Sequence, residues 1–386
     1  MSGAPGPDVP PGGGPLAGVR VLELAALGAA PFACMLLAEF GAEVIRIDRP
    51  GGAGLPQAPD DALHRSRPNL ALDLKAPGAR EVMLRLAADA DVVVEGWRPG
   101  VAERLGVGPD DCRGVNPRLV YGRMTGWGQH GPLAARAGHD LNYAGLSGAL
   151  HASGEAGKPR QAVNLVADFG GGSMFLVAGV LAALIERERS GEGQVIDAAM
   201  VDGAASLLTM VYAMHAHGRW ADRREANLLD GGAPFYDTYR CRDGRHLSVA
   251  AIEPAFFAAL TERLGVSFEQ HDRDAWPAMR RAFEQIFLSR DRDDWAAEFD
   301  GVDACVFPVL GLEEAPRHPH LEVRGSFSPL ANGYEPRIGP RFSRTPARAP
   351  GAVRATGRDS RDILRAHGFD ERQVERLIRD GAVLEG

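Results

Sequence analysis

Two hydrophobic patterns alternate through the first half of the chain. Short apolar runs stand at residues 19–24 (VRVLEL), 43–48 (EVIRID), 91–95 (DVVVE), 118–124 (RLVYGRM) and 194–199. Between them lie longer stretches with apolar residues at helical spacing: 31–40, 77–90 (Val82, Leu84, Leu86 and Ala87), a long apolar helix from about 173 to 189, and 201–217. Short apolar runs bounded by turn residues predict buried strands, and the longer periodic stretches predict helices. Strands alternating with helices predict an α/β domain whose parallel sheet is covered on both faces. Residues 218–233 are polar and Gly-rich and read as a linker. A smaller α+β domain is expected over 234–327, and a C-terminal segment over 328–386 with helices at 360–368 and 370–380. Residues 1–14, rich in Gly and Pro, read as a disordered arm ahead of a large domain over 15–217.

The composition narrows the function classes. The 386 residues are 45% hydrophobic and 24% charged, with a net charge of −8, as in a soluble globular protein. An acidic total leaves no nucleic-acid footprint, so an anionic ligand would need a local basic pocket. Cys34, Cys112, Cys241 and Cys305 form no CxxC pair. Neither a disulfide framework nor a zinc site is therefore indicated, which favours the cytoplasm. The N-terminus lacks the basic and apolar regions of a signal peptide. The longest apolar run, residues 174–185, is short for a bilayer span, so no membrane span is expected.

The strand–turn–helix opening suggests a dinucleotide fold, but Ala25-Ala26-Leu27-Gly28-Ala29-Ala30 follows the first strand. Without GxGxxG a pyrophosphate lacks its close backbone approach. Arg49, directly after the second strand, suits a phosphate or a solvated loop equally well. GxSxG and HExxH are absent, and His215/His217 and His318/His320 have no acids or cysteines at ligand spacing, so they read as surface or turn histidines. Three places remain. His139 stands among polar groups in Gly138-His139-Asp140-Leu141-Asn142-Tyr143. Asp168 precedes Phe169 and three glycines. Glu253 follows an apolar strand over 246–251. Asp168 reads either as a helix N-cap or as part of a site whose glycine amides hold an enolate oxygen, worth about 3 kcal/mol per donor in a transition state. Taken singly, His139 reads equally as a core residue and Glu253 as a turn acid. Met210 and Met214, an i,i+4 pair, read as core packing before they read as an acyl-chain surface.

Together these motifs carry a resemblance. The chain is similar to the family III CoA-transferase fold and, within it, to the α-methylacyl-CoA racemases. The match runs from Leu16 to the C-terminus through Val21-Leu22-Glu23-Leu24, Arg46-Ile47-Asp48-Arg49-Pro50, Leu72-Asp73-Leu74-Lys75, Thr125-Gly126-Trp127-Gly128-Gln129, Gly138-His139-Asp140, Asn164 to Ser173, Asp197 to Gly203, Ile252-Glu253-Pro254 and Pro340-Arg341-Phe342-Ser343. The N-terminal arm and the tail from Ala355 depart from the family pattern, and neither is expected to touch the chemistry.

The resemblance implies a Rossmann-like large CoA-binding domain, a smaller α+β domain, a C-terminal segment returning to the large domain, and an interlocked homodimer. It implies racemisation of 2-methylacyl-CoA thioesters through an enolate, with His139 and Asp168 moving the α proton and Glu253 of the partner subunit orienting the imidazole. By family match Arg49, Leu72, Asp73, Leu74, Lys75, Arg98, Arg104, Gly138, Asp140, Leu141, Asn142 and Tyr143 contact the acyl-CoA. No cofactor beyond the substrate's own CoA and no metal is expected. The alternative is a CoA-transferase in which Asp168 carries the acyl group covalently. That branch has an aromatic residue where this chain has His139.

Overall fold

The structure, a computed structural model, describes residues 13–51 and 62–386. Apart from Gly13 and Gly14, the arm expected over 1–14 lies outside them. The chain divides into two compact units: Met1–Ser147, Ala162–Leu207 and Pro336–Gly386 form one, Gly148–Gln161 and Leu208–Glu335 the other.

The first unit is built on a seven-stranded sheet. Its strands are β1 (Arg20–Leu24), β2 (Glu43–Asp48), β3 (Asn69–Leu72), β4 (Val92–Glu95), β5 (Val120–Thr125), β6 (Val195–Ala199) and the short strand Val383–Leu384. They lie in the order Val383–Leu384, β3, β2, β1, β4, β5, β6. All pairs are parallel except Val383–Leu384 on β3, which is antiparallel. The order reverses direction between β1 and β4, and such a switch point opens a crevice at the strands' carboxyl ends. The strands alternate as a two-sided sheet requires. Val21, Val44, Val92, Val94 and Val120 enter one core with helix α1 (Ala29–Glu39) and the helix Phe175–Ser190. Leu22, Leu24, Leu70, Leu72 and Val93 enter the other core with helix α2 (Ala79–Ala88) and the helices Ser360–Ala366 and Glu371–Arg379.

The helix through the glycine run differs from expectation. It begins at Leu165, as a wide π-helical segment over Leu165–Met174, and continues as the α-helix Phe175–Ser190. The glycines therefore lie inside it, and their purpose is close packing. A Cβ on Gly171 would stand 2.5 Å from the Ala204 amide nitrogen, and one on Gly203 would stand 1.8 Å from the Gly171 oxygen. Two backbones cross there with no room for a side chain. The full helix, Leu165–Ser190, has 26 residues, and its most apolar 18-residue stretch has a mean hydropathy of 1.7, so by length and composition it could cross a membrane. Leu176, Val177, Val180 and Ala183 of this helix are nevertheless buried against the sheet. Its other side leaves Leu165, Met174, Phe175 and Ile185 exposed.

Residues 201–217, expected as one helix, are two: Met200–Leu207 and Thr209–Ala216, parted at Leu208 where the units meet in sequence. The first buries Gly203 and Ala204, whereas the second buries no residue. Met210 is 55% exposed, so core packing does not account for it. The second unit carries a three-stranded antiparallel sheet of Tyr236–Arg240, His246–Ala250 and Val306–Pro308. Its core is aromatic, with Phe235, Tyr239, Phe257, Phe283, Phe287, Trp295 and Phe299.

The helix crossing makes a direct prediction. Gly203→Ala should destabilise the first unit by about 1–3 kcal/mol or more, measured by denaturant unfolding. A wild-type midpoint would contradict the crossing geometry.

Candidate active site

A cleft of about 670 Å³ opens at the carboxyl ends of β1 to β5, and every residue lining it belongs to the first unit. Its walls are the segments that leave the strands: Leu24–Ala29 after β1, Asp48 and Arg49 after β2, Leu72–Lys75 at β3, Gly96–Arg98 after β4 and Met124–Trp127 after β5. His139 and Asp168 face the same cleft.

One buried carboxylate ties those two residues together. Asp140 Oδ1 accepts the amides of Ala167 (2.8 Å) and Asp168 (2.9 Å). These amides belong to the first turn of the helix that begins at Leu165, where backbone donors lack intrahelical partners and negative charge is favoured. Asp140 also opens its own helix, Asp140–Leu146, with His139 at the N-cap. Asn142 Oδ1 accepts the His139 amide at 3.1 Å. The Tyr143 hydroxyl donates to the Gly138 carbonyl, and the Tyr143 ring meets Trp127 edge-on with centroids 4.7 Å apart. A Cβ on Gly138 would come within 2.7 Å of the Tyr143 ring, so the motif needs glycine there. Burial, then the Asp168 charge, push the Tyr143 phenol up to about 12, which keeps it a neutral donor.

Asp168 is half-buried, and burial is the main reason its carboxyl lies above the ordinary range. A hydrogen bond from Asn164 Nδ2 to Oδ2 (3.3 Å) opposes the rise, Asp140 adds to it, and the His139 charge lowers it. Gly28, the residue before α1, packs against the same carboxylate: a Cβ there would stand 3.5 Å from Asp168 Oδ2.

Cations gather in this acidic protein where a phosphate would need them. Arg49, Lys75, Arg98 and Arg136 line the cleft, and among the described residues no ion pair occupies any of them. The loop carrying Arg98 is anchored from below: Glu95 accepts the Trp97 amide at 2.7 Å and Arg123 Nε at 2.8 Å, while Trp97 Nε1 donates to the Ala25 carbonyl at 2.9 Å.

Of the residues expected at the ligand, Arg49, Leu72, Asp73, Leu74, Lys75, Arg98, Gly138 and Tyr143 line the cleft with His139 and Asp168, and Arg104, Leu141 and Asn142 do not. Arg104 is exposed, and Asn142 serves the His139 N-cap. Asp140 is 4% exposed and its Oδ1 bonds the helix end. Glu253 lies on the second unit, exposed, at the N-cap of the helix Pro254–Leu264. The expectation that Asp168 caps a helix is corrected, because the helix starts earlier and Asn164 holds that position. The expectation that glycine amides at the helix end await an oxygen is corrected too. The end amides at Ala167 and Asp168 already bond Asp140, and the glycines lie deeper. Arg136 and Asn164 escaped the sequence reading. The i,i+4 spacing of Asn164 and Asp168 would have disclosed the latter once the helix start was known.

The shifted carboxyl fixes the sign of a pH effect. A carboxyl whose folded-state pKa is raised weakens the fold when ionised and has no such effect once protonated in both states. Asp168→Asn should therefore raise the thermal midpoint at neutral pH. The gain should shrink as pH falls toward the ordinary carboxylate range. A gain that grows on acidification would contradict the burial described here.

With this geometry in place, comparison with known proteins is informative. The family model for CoA-transferase family III matches residues 16–360. The chain is 44% identical to a mouse alpha-methylacyl-CoA racemase over 95% of this chain and 97% of the relative. It is 41% identical to the human alpha-methylacyl-CoA racemase over 95% of this chain and 96% of that protein. The crystal structure of a CAIB/BAIF family protein from Brucella suis superposes with a TM-score of 0.81 at 25% identity, covering 92% of this chain and all of that one. The chain belongs to CoA-transferase family III.

Proposed function

We propose that the protein racemises 2-methylacyl-CoA thioesters by taking a proton from the α carbon and returning one to the opposite face. The carrying observation is that His139 and Asp168, held by one buried carboxylate, face a single cleft lined by cations that no ion pair occupies among the described residues. The mouse and human relatives named alpha-methylacyl-CoA racemase support the same reading.

The chemistry follows from the groups present. One of the pair removes the α proton and its electrons pass into an enolate. The other, in its acid form, delivers a proton from the opposite side. For the opposite enantiomer the roles exchange. Positioned acid–base groups contribute about 10²- to 10⁴-fold, and stabilisation of the enolate oxygen must add to that. Helix α1 begins at the cleft directly after Gly28. Its first-turn amides replace the glycine amides as the donors for that oxygen. Arg49, Lys75, Arg98 and Arg136 take the CoA phosphates, arginine by paired contacts. Burial, which raises the Asp168 carboxyl, favours its proton-carrying form relative to an exposed aspartate and so supports acid as well as base duty.

Glu253 completes the site from a second copy of the chain. The helix Leu165–Ser190 supports a homodimer because it leaves a row of apolar side chains exposed beside buried ones, as an interface helix does. Within this reading the cytoplasm is the compartment and CoA arrives with the substrate, with no separate cofactor.

Incubation in D2O tests the chemistry. Each enantiomer of a 2-methylacyl-CoA should gain deuterium at the α carbon, and His139→Ala should slow this by about 10²-fold or more. Wild-type exchange in His139→Ala would end the assignment. Trapping of an Asp168 acyl adduct with hydroxylamine would point to transfer instead. Co-expression tests the shared site: His139→Ala and Glu253→Ala chains, each inactive alone, should regain activity together, because one site of the mixed dimer is intact. Activity no higher than the sum of the separate variants would contradict a site shared between subunits.

A further inference from the structure

The C-terminal tail, expected to stand apart from the chemistry, reaches the cleft wall. Val383–Leu384 pairs with β3, Val383 opposite Leu72 and Leu384 opposite Ala71. The Asp73 amide donates to the Ala382 carbonyl at 2.8 Å, and Asp73 Oδ1 in turn accepts the Lys75 amide at 3.1 Å. Leu72, Asp73, Leu74 and Lys75 line the cleft. Ser360, 1% exposed, couples the two strands: its Oγ accepts the Ala71 amide at 3.2 Å and donates to the Leu384 carbonyl at 2.8 Å.

A second line of contacts reaches the neighbouring wall. Asn69 is clamped from the tail side, its amide donating to Asp359 Oδ2 at 2.9 Å and its Oδ1 accepting the Gly357 amide at 2.7 Å. Its Nδ2 then donates to Asp48, which lines the cleft beside Arg49. The backbone of β3 and the turn after it are thus fixed by the tail on one side and by β2 on the other. A two-residue pairing is marginal by itself, so the buried Ser360 hydroxyl, which bonds both strands, reinforces the Asp73 and Asn69 bonds that couple tail and wall.

We propose that residues 357–384 form a positioning strap that holds the Leu72–Lys75 wall and Arg49 in register for the coenzyme part of the ligand. The strap governs coenzyme affinity and leaves proton transfer at His139 and Asp168 to the opposite end of the cleft. The proposal rests on the reading that the ligand is a CoA thioester.

Two variants of the full protein test it, Ser360→Ala and a chain ending at Gly381. Ser360→Ala removes one oxygen and should fold, as checked by its unfolding transition. Calorimetry with free coenzyme A should show affinity reduced by about five-fold or more, the scale of one lost buried hydrogen bond, and further in the truncated chain. In the exchange assay KM for the CoA thioester should rise in parallel while kcat stays within about two-fold. The KM for the matching acyl-pantetheine, which lacks the nucleotide, should not move. Wild-type affinity for coenzyme A in folded Ser360→Ala, or a fall in kcat at constant KM, would overturn the strap. Wild-type protein that binds coenzyme A without α exchange would refute the racemase reading alone, and the calorimetric comparison would still decide the strap. Failure of wild-type protein to bind coenzyme A would overturn both.

Discussion

The site depends on a single buried carboxylate. Asp140 bridges two helix ends, opening its own helix and capping the first turn of the one that carries Asp168. Hydrogen bonds to an ionised group are worth about 1.5–3 kcal/mol each, and a helix N-terminus adds its dipole. Because His139 directly precedes Asp140 and Asp168 supplies one of the captured amides, this bridge sets the spacing of imidazole and carboxylate. Catalysis by two groups on one carbon is unforgiving of displacement, and a buried, charged tie is stiffer than packing between two loops. The glycine crossing at Gly171 and Gly203 holds the same helix from its other side.

The sheet supplies the second constraint. Its order from β3 to β6 is that of a doubly wound nucleotide-binding fold, and the cleft lies at the switch between β1 and β4. The dinucleotide fingerprint is nevertheless missing, because the turn after β1 does different work. Gly28 packs on Asp168, and the Ala25 carbonyl accepts Trp97 Nε1. The cations at the cleft come instead from other loops, Arg49, Lys75, Arg98 and Arg136, and under the proposed reading these meet the phosphates. This explains how a chain of net charge −8 accommodates an anion: the positive potential is local, and buried pairs such as Arg46 with Glu23 and Arg123 with Glu95 contribute little to it.

Much of this was legible in the sequence where pattern and chemistry were both local. β1, β2, β4 and β5 are short, largely apolar runs whose inner charges, Glu23, Arg46, Glu95 and Arg123, are buried as ion pairs, and a covered parallel sheet produces such runs. β3 was not read as a strand, because Asn69–Leu72 is four residues long and depends on Val383–Leu384, three hundred residues away, for one neighbour. Asp168 was found but its setting was misread. The glycines after it signalled a close approach, yet whether a ligand or a helix approaches is a tertiary fact. Asp140 stands in the His139 motif, but its bonds to the Ala167 and Asp168 amides join segments far apart in sequence, and no local pattern discloses them. Arg136 carried no local signal beyond its nearness to His139.

A structure of the protein with a bound 2-methylacyl-CoA would test the account most directly. The account predicts His139 and Asp168 on opposite faces of the α carbon, each with a proton-carrying atom about 3–3.5 Å from it, and Asp140 still bonded to the Ala167 and Asp168 amides. Both groups on one face of that carbon, or either one too distant for proton transfer, would contradict it.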